Sequence, residues 1–368
     1  MSPDVIVVGG GVIGTSISYQ LAKRGARVML LERDSLGAAA TGASAGIIQP
    51  HGGADAVPEF TALAVESARL FPAVSAELKQ RTGFDVGYRP VDVIELALDE
   101  AEETRLRRQM DRGAGDAWID AAIALEIEPE INASIRGAVL HRGDAQVLPA
   151  IFTRALGRAA AELGAEVREG VAVDRLLIDG DTVRGVAIGS ENIHASEVVV
   201  ANGCWSAAWS SMLRLPIPVR PVRGQMVALA VTGRSPHAVL SGGGGYLVPK
   251  PDGRLLLGTT VEDAGFDPRP TVEGIASLLD RAPRLAPRLA GATVGAAWAG
   301  LRPGTADGLP IIGRVAGWDG VTLATGHFRN GILLAPITAE LVADLLLEGR
   351  TRLPTARFDP ARFLPHAA

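Results

Sequence analysis

Hydrophobic positions near the start of the chain follow two different spacings. The short apolar run in Asp4–Val8 predicts a buried strand, and Ile13, Ile17 and Leu21 recur every fourth residue, as on one face of a helix. A second apolar run, Arg27–Leu31, predicts another strand. A strand, a helix and a strand in this order indicate a βαβ unit with parallel strands.

The remaining pattern is rich in strands in the middle of the chain and returns to strand and helix at its end. Further helices are predicted at Glu59–Thr82, at Glu100–Arg112, at Pro149–Leu163 and after Asn330. Further strands are predicted at Val91–Leu98, Val171–Ile178, Val183–Ile188, Glu197–Ala201, Val219–Val231, Tyr246–Val248, Leu255–Thr259, Thr293–Leu301 and Val321–Thr325. We therefore expect a nucleotide-binding domain assembled from both ends of the chain, with an inserted sheet domain.

Composition and charge narrow the class of protein. The 368 residues are 47% hydrophobic and carry a net charge of −5 without a basic run, so nucleic acid is not an expected partner. Cys204 is the single cysteine, so no internal disulfide and no thiolate metal site are expected. The apolar N-terminal run lacks a basic flank, and Pro336, Glu340 and Asp344 interrupt the apolar stretch near the C-terminus. These features predict a soluble, cytoplasmic protein without a membrane partner.

The first predicted strand and helix are joined by a glycine fingerprint. Gly9 to Gly14 read G-G-G-V-I-G, which matches G-x-G-x-x-G between a strand and a helix. Gly9 permits the tight turn, Gly11 lets the backbone approach a pyrophosphate, and Gly14 allows the helix to pack closely on the strand. Glu32 ends the second strand at the spacing expected for the acid that binds ribose hydroxyls. The sequence thus predicts a dinucleotide site.

Two further segments favour FAD over NAD as the dinucleotide. The loop Thr41–Gly46 contains only small residues, which suits backbone contact with a pyrophosphate or a flavin. The segment Val198–Gly203 ends a strand in small residues, as flavoproteins do after their central hairpin. Several motifs in order carry more weight than the fingerprint alone.

Three blocks of sequence carry a resemblance to a known family. They are VIVVGGGVIG at the N-terminus, WAGLRPGTADGLPIIG at 298–313 and GHFRNGILLAP at 326–336. The chain resembles the D-amino acid oxidase superfamily of FAD-dependent amine oxidases, and in particular its thiazole-biosynthesis branch. The resemblance implies non-covalent FAD and hydride transfer to flavin N5 from glycine, sarcosine or small D-amino acids. It also implies molecular oxygen as acceptor, α-keto acid, ammonia or amine and hydrogen peroxide as products, and a homotetramer.

The expected fold is α/β with two domains. A Rossmann-type, glutathione-reductase-like FAD-binding domain is expected at 1–85, 150–215 and 300–368. An α+β substrate domain built on an antiparallel sheet is expected at 86–149 and 216–299. The resemblance implies contacts to the cofactor from Gly9, Gly11, Val12, Ile13, Gly14, Glu32, Arg33, Thr41, Ser44, Ala45, Gly46, Val173, Asn202, Gly203, Trp205, Arg302, His327, Arg329, Asn330, Gly331, Ile332 and Leu333.

The resemblance assigns the substrate carboxylate to Arg302, with help from Tyr246 and Arg329. Arginine binds a carboxylate through two parallel hydrogen bonds, which fixes its orientation as well as its position. Arg302 follows the predicted strand Thr293–Leu301, so we expect it at a strand end. The alternatives are a surface role for Arg302, a packing role for Tyr246 and a loop-supporting role for Arg329.

No catalytic base is predicted, because a neutral substrate amine supplies the electron pair that assists hydride departure. His327 is expected to be structural, and Cys204 is expected to pack in the core. His51 could form a covalent link to the flavin, but the family resemblance implies non-covalent binding. Residues 241–245 read SGGGG, where relatives carry bulkier polar residues, which predicts a more flexible and more open entrance.

Two other functions fit the same fold. One is a D-amino acid dehydrogenase that passes electrons to an acceptor other than oxygen. The other is a non-catalytic flavoprotein subunit. Peroxide formation distinguishes the first from an oxidase, and failure of any amine to reduce the flavin would identify the second.

Overall fold

The computed structural model describes residues 2–50, 57–110 and 117–364. The seven α-helices of these residues are α1 (Val12–Lys23), α2 (Pro58–Thr82), α3 (Glu100–Met110), α4 (Ala121–Ile127), α5 (Pro149–Glu162), α6 (Val272–Leu285) and α7 (Gly331–Glu348). Their twenty strands are β1 (Val5–Val8), β2 (Val28–Leu31), β3 (Ile47–Ile48), β4 (Arg89–Pro90), β5 (Val93–Ala97), β6 (Ala117–Ile119), β7 (Gly137–His141), β8 (Ala145–Gln146), β9 (Glu166–Arg168), β10 (Arg175–Asp179), β11 (Thr182–Ile188), β12 (Glu191–His194), β13 (Glu197–Val200), β14 (Val219–Ala230), β15 (Val239–Gly242), β16 (Gly245–Pro249), β17 (Leu255–Gly258), β18 (Thr293–Thr305), β19 (Ile311–Arg314) and β20 (Val321–Thr325).

The first of two large sheets has six strands and is mostly parallel. Its order is β19-β20-β13-β1-β2-β9, and only β19 runs antiparallel to its neighbour. Val5 and Val7 pack into one hydrophobic core with α1, α2, α5 and α7, whereas Ile6 and Val8 pack into another with β10 and β11. Burial on both faces explains why β1 is a continuous apolar run rather than an alternating one.

The second large sheet has eight strands, in the order β18-β14-β17-β16-β15-β5-β7-β6. All neighbouring pairs are antiparallel except β15 with β5. One face of this sheet, with Ile94, Leu240 and Leu247, packs against α4 and α6. The opposite face carries Tyr246 and Trp298 and is directed toward the six-stranded sheet. Two three-stranded sheets, β10-β11-β12 and β3-β8-β4, complete the fold.

The predicted fold class is confirmed, and most predicted elements are present within a few residues. Eleven elements were not predicted: the helices α4 and α6 and the nine strands β3, β4, β6, β7, β8, β9, β12, β15 and β19. The strand predicted at Val171–Ile178 was wrong in its first half, because β10 begins only at Arg175. Val171 instead donates its backbone N–H to the Glu32 carbonyl at 2.8 Å, so this segment is held beside the end of β2.

The predicted domain boundaries remain a prediction. One of them, between residues 299 and 300, falls inside β18, which continues as one strand to Thr305. The segment Phe328–Glu348 is long and apolar enough to cross a membrane by length and composition. Most of it is buried, and α7 packs against α1 and α2, as expected for a core helix.

Candidate functional site

The turn between β1 and α1 has the form that a pyrophosphate requires. Gly9 has a φ of 110°, and a Cβ there would lie 2.6 Å from the Ala201 carbonyl oxygen. A Cβ on Gly14 would lie 1.9 Å from the Gly9 carbonyl oxygen, so the helix can approach β1 only with glycine there. The first turn of α1 carries no acidic residue and its N-cap makes no side-chain hydrogen bond. This helix N-terminus therefore fits a bound phosphate group.

Glu32 lies beside this turn, at the end of β2. One carboxylate oxygen accepts a hydrogen bond from the Gly10 N–H at 2.6 Å, and the other accepts from the Asp34 N–H at 2.9 Å. Next to it, the Arg33 guanidinium stacks on the Trp205 ring, 3.7 Å from the ring centroid. All three side chains line the same cavity, so a carboxylate and an aromatic platform are available for a nucleoside.

A cavity of about 840 Å³ extends from the glycine turn to the eight-stranded sheet. It brings together twenty of the predicted site residues: Gly9, Gly11, Val12, Ile13, Glu32, Arg33, Thr41, Ser44, Ala45, Gly46, Val173, Asn202, Gly203, Trp205, Tyr246, Arg302, His327, Arg329, Gly331 and Ile332. Three predicted residues, Gly14, Asn330 and Leu333, do not line it. Gly14 supports the turn through packing, and Leu333 is buried in the core with α1.

The small-residue loop Thr41–Gly46 passes between the two large sheets. The Thr41 hydroxyl accepts a hydrogen bond from the Val12 N–H at 3.1 Å, which fixes the loop to the start of α1. On the other side, Trp298 donates its indole N–H to the Ala43 carbonyl at 3.1 Å. A Cβ on Gly300 would lie 2.5 Å from the Ala43 Cβ, so glycine is needed for β18 to pass this close.

A buried lysine holds the same loop from the second sheet. The Lys250 ammonium donates to the Ala45 carbonyl, to the Gln146 side-chain carbonyl at 2.9 Å and to the Val147 carbonyl at 3.2 Å. Burial, with a smaller contribution from the charge of Arg89, lowers the pKa of Lys250 to about 7. Lys250 has no local sequence signal, because its acceptors lie about a hundred or more residues away in the chain.

Arg302 lies at the end of the cavity formed by the eight-stranded sheet. It sits within β18 rather than at a strand end, so that prediction was wrong: the strand continues to Thr305 by pairing with β14. Its guanidinium covers Gly224 on β14, where a Cβ would lie 2.1 Å from a guanidinium nitrogen. One guanidinium nitrogen donates to the Thr259 hydroxyl at 2.6 Å and another to the Thr260 carbonyl at 3.2 Å.

The charge of Arg302 has no ion-pair partner in the described part of the chain. Glu262, the acidic residue that acts on its pKa, is itself paired with Arg223 at 2.6 Å. Burial lowers the pKa of the Arg302 guanidinium below its usual value. A half-buried cation that meets only neutral acceptors is costly unless an anion completes the site. The arrangement therefore favours binding of a carboxylate.

Tyr246 and Arg329 line the same cavity as Arg302 and act electrostatically on its guanidinium. Burial raises the pKa of the Tyr246 hydroxyl, and the positive charges of Arg302 and Arg329 oppose that shift. Arg329 is exposed, and its guanidinium lies 5.2 Å from the centroid of the Phe328 ring. Phe328 has a φ of 48°, a left-handed conformation that side chains other than glycine rarely adopt and that is common at functional sites.

His327 and Cys204 line the cavity but have the features of structural residues. His327 is buried, and its Nε2 lies 3.1 Å from the Thr338 hydroxyl. Burial lowers its pKa to about 3, so the imidazole is neutral at ordinary pH. Burial raises the pKa of the Cys204 thiol to about 12. His51, the alternative point of covalent attachment, lies outside the described residues.

The fold and the cavity define a flavin-dependent class of enzyme. Residues 4–345 match the model of the FAD-dependent oxidoreductase family, so the chain belongs to this family and FAD is its cofactor. Within the described residues, no group of three or more histidine, cysteine or acidic side chains is placed to hold a metal ion.

The most similar proteins include glycine oxidases. The glycine oxidase of Geobacillus kaustophilus is 37% identical to this chain, and the match covers 98% of this chain and 97% of that protein. The crystal structure of a glycine oxidase from the same organism matches with a TM-score of 0.94 and 36% identity, and covers 100% of this chain and 99% of that chain. The bifunctional protein ThiO/ThiG of Trichormus variabilis is 37% identical over 100% of this chain. The chain spans only 56% of the length of that bifunctional protein.

The first prediction concerns the attachment of FAD. Protein purified with its cofactor should release all of its FAD on acid precipitation, because hydrogen bonds and packing at the glycine turn and Glu32 suffice to hold it. Absorbance of the supernatant and of the redissolved pellet at flavin wavelengths measures the two fractions. A pellet that stays yellow would contradict non-covalent binding and direct attention to His51.

The second prediction concerns Lys250 and pH. The folded-state pKa of about 7 lies below the ordinary value of 10.5, so between these values the unfolded chain binds more protons and stability rises with pH. Lys250→Met removes this contribution, and the difference in unfolding free energy between pH 9 and pH 7 should shrink by at most about 2.7 kcal/mol. Urea unfolding at the two pH values measures it.

Lys79→Met is the matched control, because Lys79 is exposed and pairs with Asp85 at the surface. The control should keep the pH dependence of the native protein. Equal pH dependence in the native protein and in Lys250→Met would show that Lys250 titrates as a solvated amine.

Proposed function

We propose that the protein is a FAD-dependent oxidase of glycine, sarcosine and small D-amino acids. The substrate loses two electrons and becomes an imine, which water converts to an α-keto acid and ammonia or an amine. Molecular oxygen takes up the electrons and leaves as hydrogen peroxide. Support comes from the glycine oxidases among the relatives, and the resemblance to the ThiO part of the bifunctional relatives suggests a role in supplying thiazole synthesis.

The observation that carries this proposal is the half-buried Arg302 guanidinium without a counter-ion in the described part of the chain. An amino-acid carboxylate completes its hydrogen bonding and neutralises its charge. The hydroxyl of Tyr246, kept protonated by the raised pKa of this group, is available as a further donor to the carboxylate. The small α-substituent of glycine or alanine requires no apolar pocket.

The residues of this chain act by binding, orienting and excluding water. When bound, FAD supplies the two-electron acceptor chemistry that no amino-acid side chain provides. Thr259 and Thr260 fix the two guanidinium nitrogens of Arg302, so the carboxylate is presented in one orientation. The N-terminus of α7, where Gly331 and Ile332 line the cavity, places a positive helix end where negative charge is to be stabilised.

The third prediction concerns the stereochemistry of the substrate. In anaerobic mixtures, glycine and D-alanine should bleach the flavin absorbance, whereas L-alanine should not. With oxygen as the sole acceptor, turnover of glycine should form hydrogen peroxide in equal amount. Faster bleaching by L-alanine would contradict the proposal. Bleaching without peroxide would indicate the D-amino acid dehydrogenase, an alternative that the relatives do not favour.

The fourth prediction concerns Arg302 itself. Arg302→Ala should lower kcat/KM for glycine roughly 30- to 5000-fold, because loss of a charge-assisted contact in a desolvated site costs about 2–5 kcal/mol. Arg302→Lys should recover only part of the loss, since an ammonium keeps the charge but not the planar fork. FAD content should stay near that of the native protein in both variants.

Arg329→Ala is the comparison for Arg302→Ala, and its effect should be milder because Arg329 is exposed at the cavity mouth. Binding of acetate or glycolate to each variant separates anchoring from later steps. Normal carboxylate binding in Arg302→Ala, together with its loss in Arg329→Ala, would assign the anchor to Arg329.

The proposal also covers the cellular location and the assembly of the protein. We expect a cytoplasmic homotetramer, because the composition suits a reducing compartment and the family resemblance implies four subunits. Sedimentation or light scattering of the purified holoenzyme tests the assembly.

A further inference from the structure

The cavity continues past Tyr246 along the face of the eight-stranded sheet. Tyr246 on β16 pairs with Ser241 on β15, and Ser241 pairs with Glu95 on β5. Directly paired residues point to the same face, so the three side chains form one row. Their neighbours along the strands, such as Ile94 and Leu240, are buried in the core on the opposite face. All three residues of the row line the cavity.

Space beyond Tyr246 is not needed by a two-carbon amino acid. Neighbouring strands lie about 4.8 Å apart, so the backbones at Tyr246 and Glu95 are separated by about 10 Å. Between them the wall is formed by Ser241 and by the backbone of Gly242, Gly244 and Gly245, whose Cβ positions face Leu285 and Arg281 of α6 rather than the cavity. The cavity therefore has room for a substrate chain that extends along the row.

The glycine turn next to this space is held by contacts to α3 and α6. Gly243 and Gly244 both have positive φ, of 58° and 74°, and form a two-residue turn between β15 and β16. The Gly243 N–H donates to the Glu102 carboxylate at 2.7 Å, and Arg281 donates to the Gly244 carbonyl at 2.7 Å. Glu102 of α3 and Arg281 of α6 thus hold a tight turn, and the more open entrance expected from the SGGGG segment stays a prediction.

At the far end of the row lies an ionised carboxylate. Burial works against the charged form of Glu95, but hydrogen bonds from His141 and Arg105 outweigh burial and lower its pKa. Arg105 donates to Glu95 at 2.9 Å, and the His141 Nε2 lies 3.6 Å away. The Arg105 side chain is 50% exposed whereas that of Glu95 is 19% exposed. Both side chains line the cavity, and water screens the more exposed arginine charge more strongly than the carboxylate charge.

We propose that Glu95 is a second anchor, which binds an ammonium or another hydrogen-bond-donating group at the distal end of an extended substrate. The proposal rests on the proposed function, because Arg302 holds the carboxylate at the other end. The substrate class then includes basic D-amino acids and N-substituted glycines whose chain ends in an amine. Ser241 lies between the two anchors, and its hydroxyl faces the chain that joins them.

Unreactive carboxylates of graded length test this proposal by binding alone. Calorimetry on the oxidised holoenzyme compares 4-aminobutanoate, 5-aminopentanoate and 6-aminohexanoate with butanoate, pentanoate and hexanoate. At one chain length the amino compound should bind at least about tenfold more tightly than its unsubstituted partner, because a desolvated charge pair is formed. Unsubstituted compounds that bind as tightly as the amino compounds at every length would overturn the proposal.

Variants then assign the effect to Glu95. Glu95→Gln should bring the ratio of the two affinities close to one, whereas Glu100→Gln, which removes an exposed carboxylate on α3, should leave the ratio unchanged. Glu95→Asp keeps the charge on a shorter side chain and should move the preference to a longer ligand. An unchanged ratio in Glu95→Gln would overturn the assignment.

Further results distinguish failure of the second anchor from failure of the proposed function. Tighter binding of pentanedioate than of pentanoate, without a gain for 5-aminopentanoate, would identify Arg105 as the anchor and overturn the proposal. Failure of acetate and butanoate to bind, together with no oxidation of glycine, would overturn the proposed function and the second anchor with it. Binding of acetate with no effect of the distal amine would overturn only the second anchor.

Discussion

The site depends on a half-buried guanidinium that the described protein does not neutralise. Removing a charge from water without a counter-ion is costly, and neutral groups hold Arg302 in place. Gly224 leaves room beneath the guanidinium, while Thr259 and Thr260 accept two of its hydrogen bonds. The same cost makes the site selective, because an anion that enters removes a penalty that the fold already carries.

The two sheets meet at the loop Thr41–Gly46, and several weak constraints hold that contact. Val12 at the start of α1 and Trp298 on β18 bind the loop, Lys250 adds a buried ammonium, and the lack of a side chain on Gly300 lets β18 approach. These groups come from three separate parts of the chain. The position of the loop Thr41–Gly46 therefore depends on the assembled fold, and a change in either sheet would alter the position of this loop.

The separation of these groups along the chain decides how much of the site could be predicted from the sequence. The phosphate turn was predictable because its function is carried by consecutive residues, Gly9 to Gly14, whose spacing has a direct mechanical meaning. Arg302 was identified only through family resemblance, and its place in β18 was wrong because pairing with β14 extends the strand through Pro303. Lys250 and Glu95 carry no local signal, since their roles arise from strand register between distant segments.

Register also links the glycine turn to substrate recognition. A shift of one residue in a strand moves every side chain to the opposite face of the sheet. In the β15–β16 hairpin such a slip would send Tyr246 into the core with α6 and would expose Leu247 to the cavity. The two positive φ angles at Gly243 and Gly244, held by Glu102 and Arg281, prevent it. The backbone of the SGGGG segment thus fixes which side chains line the cavity.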